Sequence, residues 1–324
     1  MMIIVTGAYG FIGSCLCTYL HNKGHNDIVA VDDFTIERKK LNEASLINCT
    51  KVDRNKLWGF LRKHKSDIRV IFHIGARTDT TEMDEDLLDQ LNTTYSRRIW
   101  EFCADHGIKL LFASSAATYG LGENGYVDNH ALVPRLEPLN PYGWSKQLFD
   151  LWALNQGHHP PGWYGFKFFN VYGPNEYHKG RMASVIFHAF HQIKEKGFMN
   201  LFRSHNPEYA DGKQSRDFIY IQDVLDVLYW FFQNEEIENG LYNVGTGKAR
   251  TFEDLTLATF KAMSRDPIIN YIDTPEDIRD NYQYFTEANL NKLRSAGYNN
   301  SFTSLEEGVA EYVRNFLNKN AVYH

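Results

Sequence analysis

Residues 2–13, MIIVTGAYGFIG, run from an apolar stretch through three glycines spaced GxxGxxG and straight into a helical pattern. No other feature constrains the fold as much. Gly7 and Gly10 let the backbone turn tightly and approach a pyrophosphate, and Gly13 lets a helix lie close against its strand. The first N–H groups of such a helix lack intrahelical acceptors and favour anions. Asp32, with Asp33 beside it, follows about 20 residues on, where the next apolar run ends. A strand, glycine loop, helix, strand and terminal acid in that order predict an α/β chain with a Rossmann-type, doubly wound parallel sheet that holds a dinucleotide.

The rest of the first half keeps that rhythm. Apolar runs at 2–6, 27–32, 68–73, 109–114 and 163–168 read as buried strands, separated by helical patterns at 11–23, 54–64, 84–106 and 142–156. After about residue 170 the pattern loosens. A helix is expected at 183–196, a surface loop at 200–214, strands at 218–221 and 241–244, and two helical stretches within 286–318. With 324 residues, 43% of them hydrophobic, there is room for a second, smaller, interleaved α/β substrate unit. The expected division is 1–170 plus 217–248 for the dinucleotide and 171–216 plus 249–324 for the substrate.

Chemistry is expected at the carboxyl edge of such a sheet. Ser114 and Ser115 end the strand at 109–114, and 27 residues after Ser115 comes Tyr142-Gly-Trp-Ser-Lys146, with Tyr and Lys four apart on one helix face. Tyr142 is placed to act as acid/base for an alcohol–ketone pair, Lys146 to lower its pKa, and Ser115 to bind the reacting oxygen. Moving a phenol from about 10 to about 7 takes about 4 kcal/mol. One ammonium at about 4 Å supplies that order of energy at an effective dielectric of about 20. Asp32 favours the unphosphorylated ribose of NAD, whereas Arg38, Lys39 and Lys40 can pair with the 2′-phosphate of NADP; local chemistry leaves both open.

Composition removes other classes. A net charge of −6 disfavours a broad nucleic-acid surface. No apolar run reaches membrane length, and the first residues lack a basic leader, so a cytoplasmic protein is expected. Cys15, Cys17, Cys49 and Cys103 suit neither a disulfide framework nor a metal site, and His158, His159 and His205 have no ligand spacing; no metal is expected.

GAYGFIGS, SSAATYG and PYGWSK resemble the extended short-chain dehydrogenase/reductase superfamily. FFNVYGPNEYHKGRMAS, SRDFIYIQDV, YNVGTG and NYQYFTEANL are similar to its ADP-L-glycero-D-manno-heptose 6-epimerase branch, over nearly the whole chain. The resemblance implies oxidation of a sugar carbinol at carbon 6 by bound NADP and re-reduction from the other face, supplying heptose for the lipopolysaccharide core. It implies Tyr142 and Lys179 as the two acid/base residues, assisted by Ser115 and Lys146. For the cofactor it implies Phe11, Ile12, Asp32, Asp33, Lys39, Arg54, Asn92, Lys146, Val171 and Lys179, together with the 74–78 stretch Ile74, Gly75, Ala76, Arg77 and Thr78. For the ADP-sugar it implies Asn170, Arg181, His188, Phe202, Arg203, Ser204, His205, Arg216 and Tyr282, and for assembly a homo-oligomer, a pentamer.

Four departures from the family pattern concern the substrate. Arg77 stands in a stretch that is usually Glu-Gly-Ala-Cys-Ser, Arg181 replaces a small hydroxyl residue, Arg54 replaces Lys, and the 203–215 loop is longer. Ser115-Ala116-Ala117-Thr118 lacks the acidic pair that dehydratases of this superfamily carry, which disfavours elimination. A UDP-hexose 4-epimerase needs the same Ser-Tyr-Lys set but not Lys179, and a non-catalytic NAD(P)-binding protein needs none of it. Lys39, Arg54, Arg77, Lys179, Arg181, Arg203 and Arg216 are expected to converge on one crevice.

Overall fold

The computed structural model describes residues 1–279 and 282–323. Seven parallel strands form the main sheet: β1 (Met2–Thr6), β2 (Ile28–Asp32), β3 (Thr50–Asp53), β4 (Ile68–His73), β5 (Lys109–Ser115), β6 (Trp163–Phe168) and, last in the chain, the strand Gly240–Val244. Their spatial order is Gly240–Val244, β6, β5, β4, β1, β2, β3. The chain therefore leaves β1 in one direction through β2 and β3 and returns on its other side at β4. The resulting crevice at the ends of β1 and β4 is where an open α/β sheet takes its ligand.

Alternation along the strands sends side chains to both faces. Ile3, Val5, Val70 and Phe72 pack with helices α1 (Phe11–Asn22) and Ile221–Gln233, whereas Ile4, Ile71, Leu110 and Phe112 pack on the opposite face. That second face is covered by α2 (Leu57–His64) and by the segment running through α3 (Glu85–Leu88) to α4 (Tyr95–His106), followed by α5 (Pro141–Leu154). Burial on both faces is why these strands read as continuous apolar runs.

Two smaller sheets flank the main one. In the first, β7 (Asn170–Tyr172) pairs in parallel with β9 (Ser215–Tyr220), which pairs antiparallel with Ala249–Thr251. In the second, β8 (Met199–Phe202) pairs with Ile269–Ile272. The loop expected from residue 200 is thus a strand at its start, with Met199 and Leu201 buried and Asn200 and Phe202 half-buried. The strand expected at 218–221 lies at Ser215–Tyr220, and Ile221 opens a helix. The helix expected over 84–106 is interrupted by a wide turn at Asp89–Thr94.

Residues 321–323 return to the glycine loop's side of the molecule. Ser45 Oγ donates to the Tyr323 carbonyl at 2.8 Å, and the Tyr323 N–H donates to Asn175 Oδ1 at 2.9 Å. Asn175, buried and at φ 74°, donates in turn to Ser14 of α1 at 2.8 Å.

Candidate active site

The loop after β1 closes on the loop after β4. Gly7 has φ 68°, and a Cβ there would lie 2.5 Å from Gly75 Cα; a Cβ on Gly13 would lie 2.2 Å from the Gly7 carbonyl oxygen. Gly10 caps α1 with no side chain over the helix's first N–H groups. These features leave a cleft of about 400 Å³ with a bare helix N-terminus at its floor. Its volume, its glycine cradle and its free donors suit the pyrophosphate of a dinucleotide.

Gly7, Gly10, Phe11, Ile12, Gly13, Asp32, Lys39, Arg54, Ile74, Gly75, Ala76, Arg77, Thr78 and Lys179 all line this cleft. At one end, Asp32 Oδ2 accepts from the Tyr9 N–H at 2.9 Å, and Lys39 Nζ lies 3.0 Å from Oδ1. Arg38 and Arg54 also line the cleft, and Arg54 reaches Asp33 at 3.4 Å. The acid that favours NAD is therefore already paired with a lysine, in a cleft that two arginines also line. Arg77 is also paired: Glu82 takes its Nε at 3.2 Å and Nη2 at 2.8 Å, and Asp79 lies 3.6 Å away.

Asp33, Asn92, Lys146 and Val171 do not line the cleft. Asn92 lies on the wide turn and grips the backbone of Arg77 from both sides. Its Oδ1 accepts from the Arg77 N–H at 2.7 Å, and its Nδ2 donates to the Arg77 carbonyl at 2.9 Å and to Ser145 Oγ at 2.9 Å. It positions the cleft wall. Val171 lies on β7 and packs against the core. Sequence reading missed Thr6, Val31, Ile36, Asp79, Leu87, Leu91, Tyr95, His178 and Met182, which also line it. Leu87, Leu91 and Tyr95 recur every fourth residue, a stripe the sequence displays. His178 is kept neutral, its pKa brought down to about 4 by burial and then by Lys39, Lys179 and Arg38.

Ser115 ends β5, and α5 starts beside it because Asn140 caps the helix, accepting from the Gly143 N–H at 2.8 Å, with Pro141 fixing the first turn. Tyr142 and Lys146 are both buried on this helix. The Tyr142 pKa is raised by burial, against which a hydrogen bond with Ser115 lowers it and Asp150 raises it. The net direction is upward, opposite to the depression toward 7 expected from Lys146. The lysine instead donates to the Ala113 carbonyl at 2.9 Å, and its own pKa is brought down to about 8 by burial.

Lys179 stands in the 177–182 turn, its Nζ 5.5 Å from the centre of the Phe11 ring. Burial lowers its pKa, and Glu176 works against that. Glu176 is buried and anchors the turn, accepting from the Ser184 hydroxyl at 2.6 Å at the cap of helix α6 (Val185–Lys196).

The expected sugar-nucleotide residues form a second group. Buried Arg216 lies 5.5 Å from the Phe252 ring centre and 5.6 Å from that of Tyr282, and donates to the Ser215 and Gln283 carbonyls. Phe202 meets the Tyr282 ring at 6.4 Å, and the His205 N–H donates to Tyr284 Oη at 3.0 Å. The Gln283 side chain donates to the Gly120 carbonyl, which sets this group beside the turn that follows Ser115. Ser204 donates to the Asn206 carbonyl, and Arg203 is exposed and pairs with Asp273 at 3.2 Å. Asn170 and Arg181 are exposed, and His188 is half-buried on α6. Of the seven cations expected in one crevice, Lys39, Arg54, Arg77 and Lys179 line the cleft, and Arg181, Arg203 and Arg216 do not. No metal-holding cluster and no helix long and apolar enough to cross a membrane occurs among the described residues.

Comparisons with known proteins agree with this geometry. The family model described as NAD dependent epimerase/dehydratase family matches residues 3–245. ADP-L-glycero-D-manno-heptose-6-epimerase of Fusobacterium nucleatum subsp. nucleatum is 46% identical, covering 99% of this chain and 100% of that protein. The protein of the same name from Nitratidesulfovibrio vulgaris strain DP4 is 50% identical, with 98% of each chain covered. Among solved structures, the crystal structure of Helicobacter pylori ADP-L-glycero-D-manno-heptose-6-epimerase is 25% identical, covers 97% of this chain and 95% of that one, and matches with a TM-score of 0.78.

Proposed function

The chain belongs to the NAD dependent epimerase/dehydratase family, and from that premise we propose that it interconverts ADP-D-glycero-D-manno-heptose and ADP-L-glycero-D-manno-heptose at carbon 6. The observation that carries the reading is that Lys179, which lines the cleft, offers a candidate acid/base group in addition to the Ser115–Tyr142–Lys146 set at the start of α5. The near full-length relatives of that name support it. A UDP-hexose 4-epimerase has no use for the second group.

The glycine loop, Asp32, Lys39 and Arg54 would hold a nicotinamide dinucleotide in the cleft, which would supply the hydride acceptor and donor for carbon 6. The chain's own residues handle the proton. Ser115 holds the carbinol oxygen, Tyr142 takes its proton as the ketone forms, and Lys146 opposes the phenolate's charge. Re-reduction from the other face presents the oxygen to Lys179, which returns a proton. Burial lowers the Lys179 pKa, which makes its proton easier to give up. Lys39, Arg38 and Arg54 around Asp32 favour NADP over NAD. The cofactor falls to residues 1–170 with 217–248 and the sugar nucleotide to 171–216 with 249–324. The enzyme acts in the cytoplasm as a homo-oligomer, supplying heptose for lipopolysaccharide.

The test is to incubate purified holoenzyme separately with ADP-D-glycero-D-manno-heptose and with UDP-galactose and follow both by NMR. Only the heptose should convert. Tyr142→Phe should keep its cofactor and lose about 10²–10⁴-fold in turnover, and mass spectrometry of released cofactor should find NADP. Conversion of UDP-galactose alone would overturn the assignment.

A further inference from the structure

We propose that Asp150 and Lys167 are positioning residues: a buried charge pair that fixes Ser115, Tyr142 and Lys146 against one another and sets the pH range in which they work. The proposal rests on the redox epimerisation above.

Tyr142, Lys146 and Asp150 follow at four-residue spacing on α5 and so share one face. Asp150 Oδ2 accepts from Ser114 Oγ at 2.6 Å and from Lys167 Nζ at 2.7 Å. Lys167 is the next-to-last residue of β6, and its ammonium also donates to Thr118 Oγ1 at 2.7 Å, while the Thr118 hydroxyl donates to the Ser115 carbonyl at 2.8 Å. Lys146 Nζ holds the Ala113 carbonyl at 2.9 Å. Residues 113, 114 and 115 at the tip of β5 are thus each tied to the catalytic helix, directly or through Lys167. A shift of α5 would move Tyr142 relative to Ser115 only by breaking these bonds.

The side chains of this pair are 0% and 1% exposed. Ions that deep carry a desolvation cost that apolar residues of similar volume avoid, so packing alone does not account for them. A second observation points to an electrostatic role. Asp150 Oδ1 is buried and has no hydrogen-bond partner among the described residues, so the donors on this carboxylate are all on its other oxygen. Tyr142 and Lys146 face it from its own helix. From neighbouring elements come Lys167 on β6, Tyr119 with its ring centre 5.2 Å from the Lys167 ammonium, and His130 from the 126–135 segment, whose Asp128 faces Lys167. His73 on β4 faces Lys146. In such a dry interior one added or removed charge displaces every neighbouring titration in the same direction.

The two members of the pair therefore have opposite signatures. The pH dependence of kcat/KM is measured on holoenzyme for Asp150→Asn, Lys167→Met, the double variant and Lys167→Arg. Removing the anion should move the profile about one pH unit downward, and removing the cation about one unit upward. The double variant should return toward the wild-type profile, and Lys167→Arg should retain it. KM should change by less than about two-fold, because neither side chain touches substrate. Displacement of both single variants in one direction, or unchanged profiles with a lowered kcat, would overturn the proposal. If Lys167→Met fails to fold, the direction found for Asp150→Asn decides by itself. Ultraviolet difference titration of each protein against the same protein carrying Tyr142→Phe reads the phenolate without substrate. The pair can therefore be judged even where wild-type protein does not turn over the heptose, the outcome that would sink the proposed reaction instead.

Discussion

Replacing Lys39 with Met tests how the cleft chooses its cofactor. The methionine keeps the unbranched stem and removes the ammonium that lies 3.0 Å from Asp32 Oδ1. Two effects then act on a 2′-phosphate. A charge-assisted hydrogen bond is lost, worth about 1.5–3 kcal/mol. The Asp32 carboxylate also loses its counter-ion and repels the phosphate; at about 6 Å and an effective dielectric of about 20 that adds up to about 3 kcal/mol per unit charge. Arg38 and Arg54 remain in the cleft and offset part of this, so about 3 kcal/mol is expected, roughly a 150-fold loss of NADP affinity. NAD meets neither effect. Its ribose hydroxyls gain a free acceptor, and its affinity should hold or rise. Apoprotein titrated with each dinucleotide, read by calorimetry, gives both constants. Equal losses for NADP and NAD would refute the reasoning, because they would make Lys39 a support for the loop rather than a reader of the phosphate.

Two further outcomes follow from the same structure. Gly13→Ala places a methyl 2.2 Å from the Gly7 carbonyl oxygen, so α1 must back away from the loop. Urea unfolding should show a loss of about 1–3 kcal/mol, and dinucleotide binding should weaken together with it; a variant as stable as wild type would contradict the packing described. His73 is buried between Thr6 and Ser96, and burial brings its pKa down to about 3. Below about 6.5 the unfolded chain takes up a proton that the native state refuses, so stability falls with pH by about 1.4 kcal/mol per unit down to about 3. His73→Gln should narrow the gap between urea stabilities at ~pH 7.5 and ~pH 5 by about 2 kcal/mol, and an unchanged gap would rule the histidine out as its source.

The parts of the fold that the sequence displays are those where burial dictates residue type. Strands β1, β2, β4, β5 and β6 are enclosed on both faces and read as apolar runs. β3, with the sequence TKVD, lies at the sheet edge with no residue fully buried, so nothing in its composition marks it. β8 alternates buried and half-buried positions over only four residues before a polar loop, too short for a period to show. The wide turn at Asp89–Thr94 departs from the helical repeat, and it is what turns Asn92 toward the Arg77 backbone. The glycine loop and the Ser-Tyr-Lys set were legible because their chemistry demands particular residues at particular spacing. The paired state of Lys39, Arg77 and Lys146 was not, because each partner comes from geometry: Asp32, Glu82 and the Ala113 carbonyl. Lys167 within WYGFKF did leave a trace, a cation inside an otherwise buried apolar run.

The bonds from Tyr323 to Ser45 and Asn175 tie the helix that opens on the cleft to a contact that is remote in sequence. Asn175 links Tyr323 to Ser14 of that helix, more than 300 positions apart. A contact of that separation must meet its loop-closure cost before it returns any stability. Loosening at residues 321–323 is thereby transmitted to α1, so the order of the cleft is a property of the folded whole and not of its own segment.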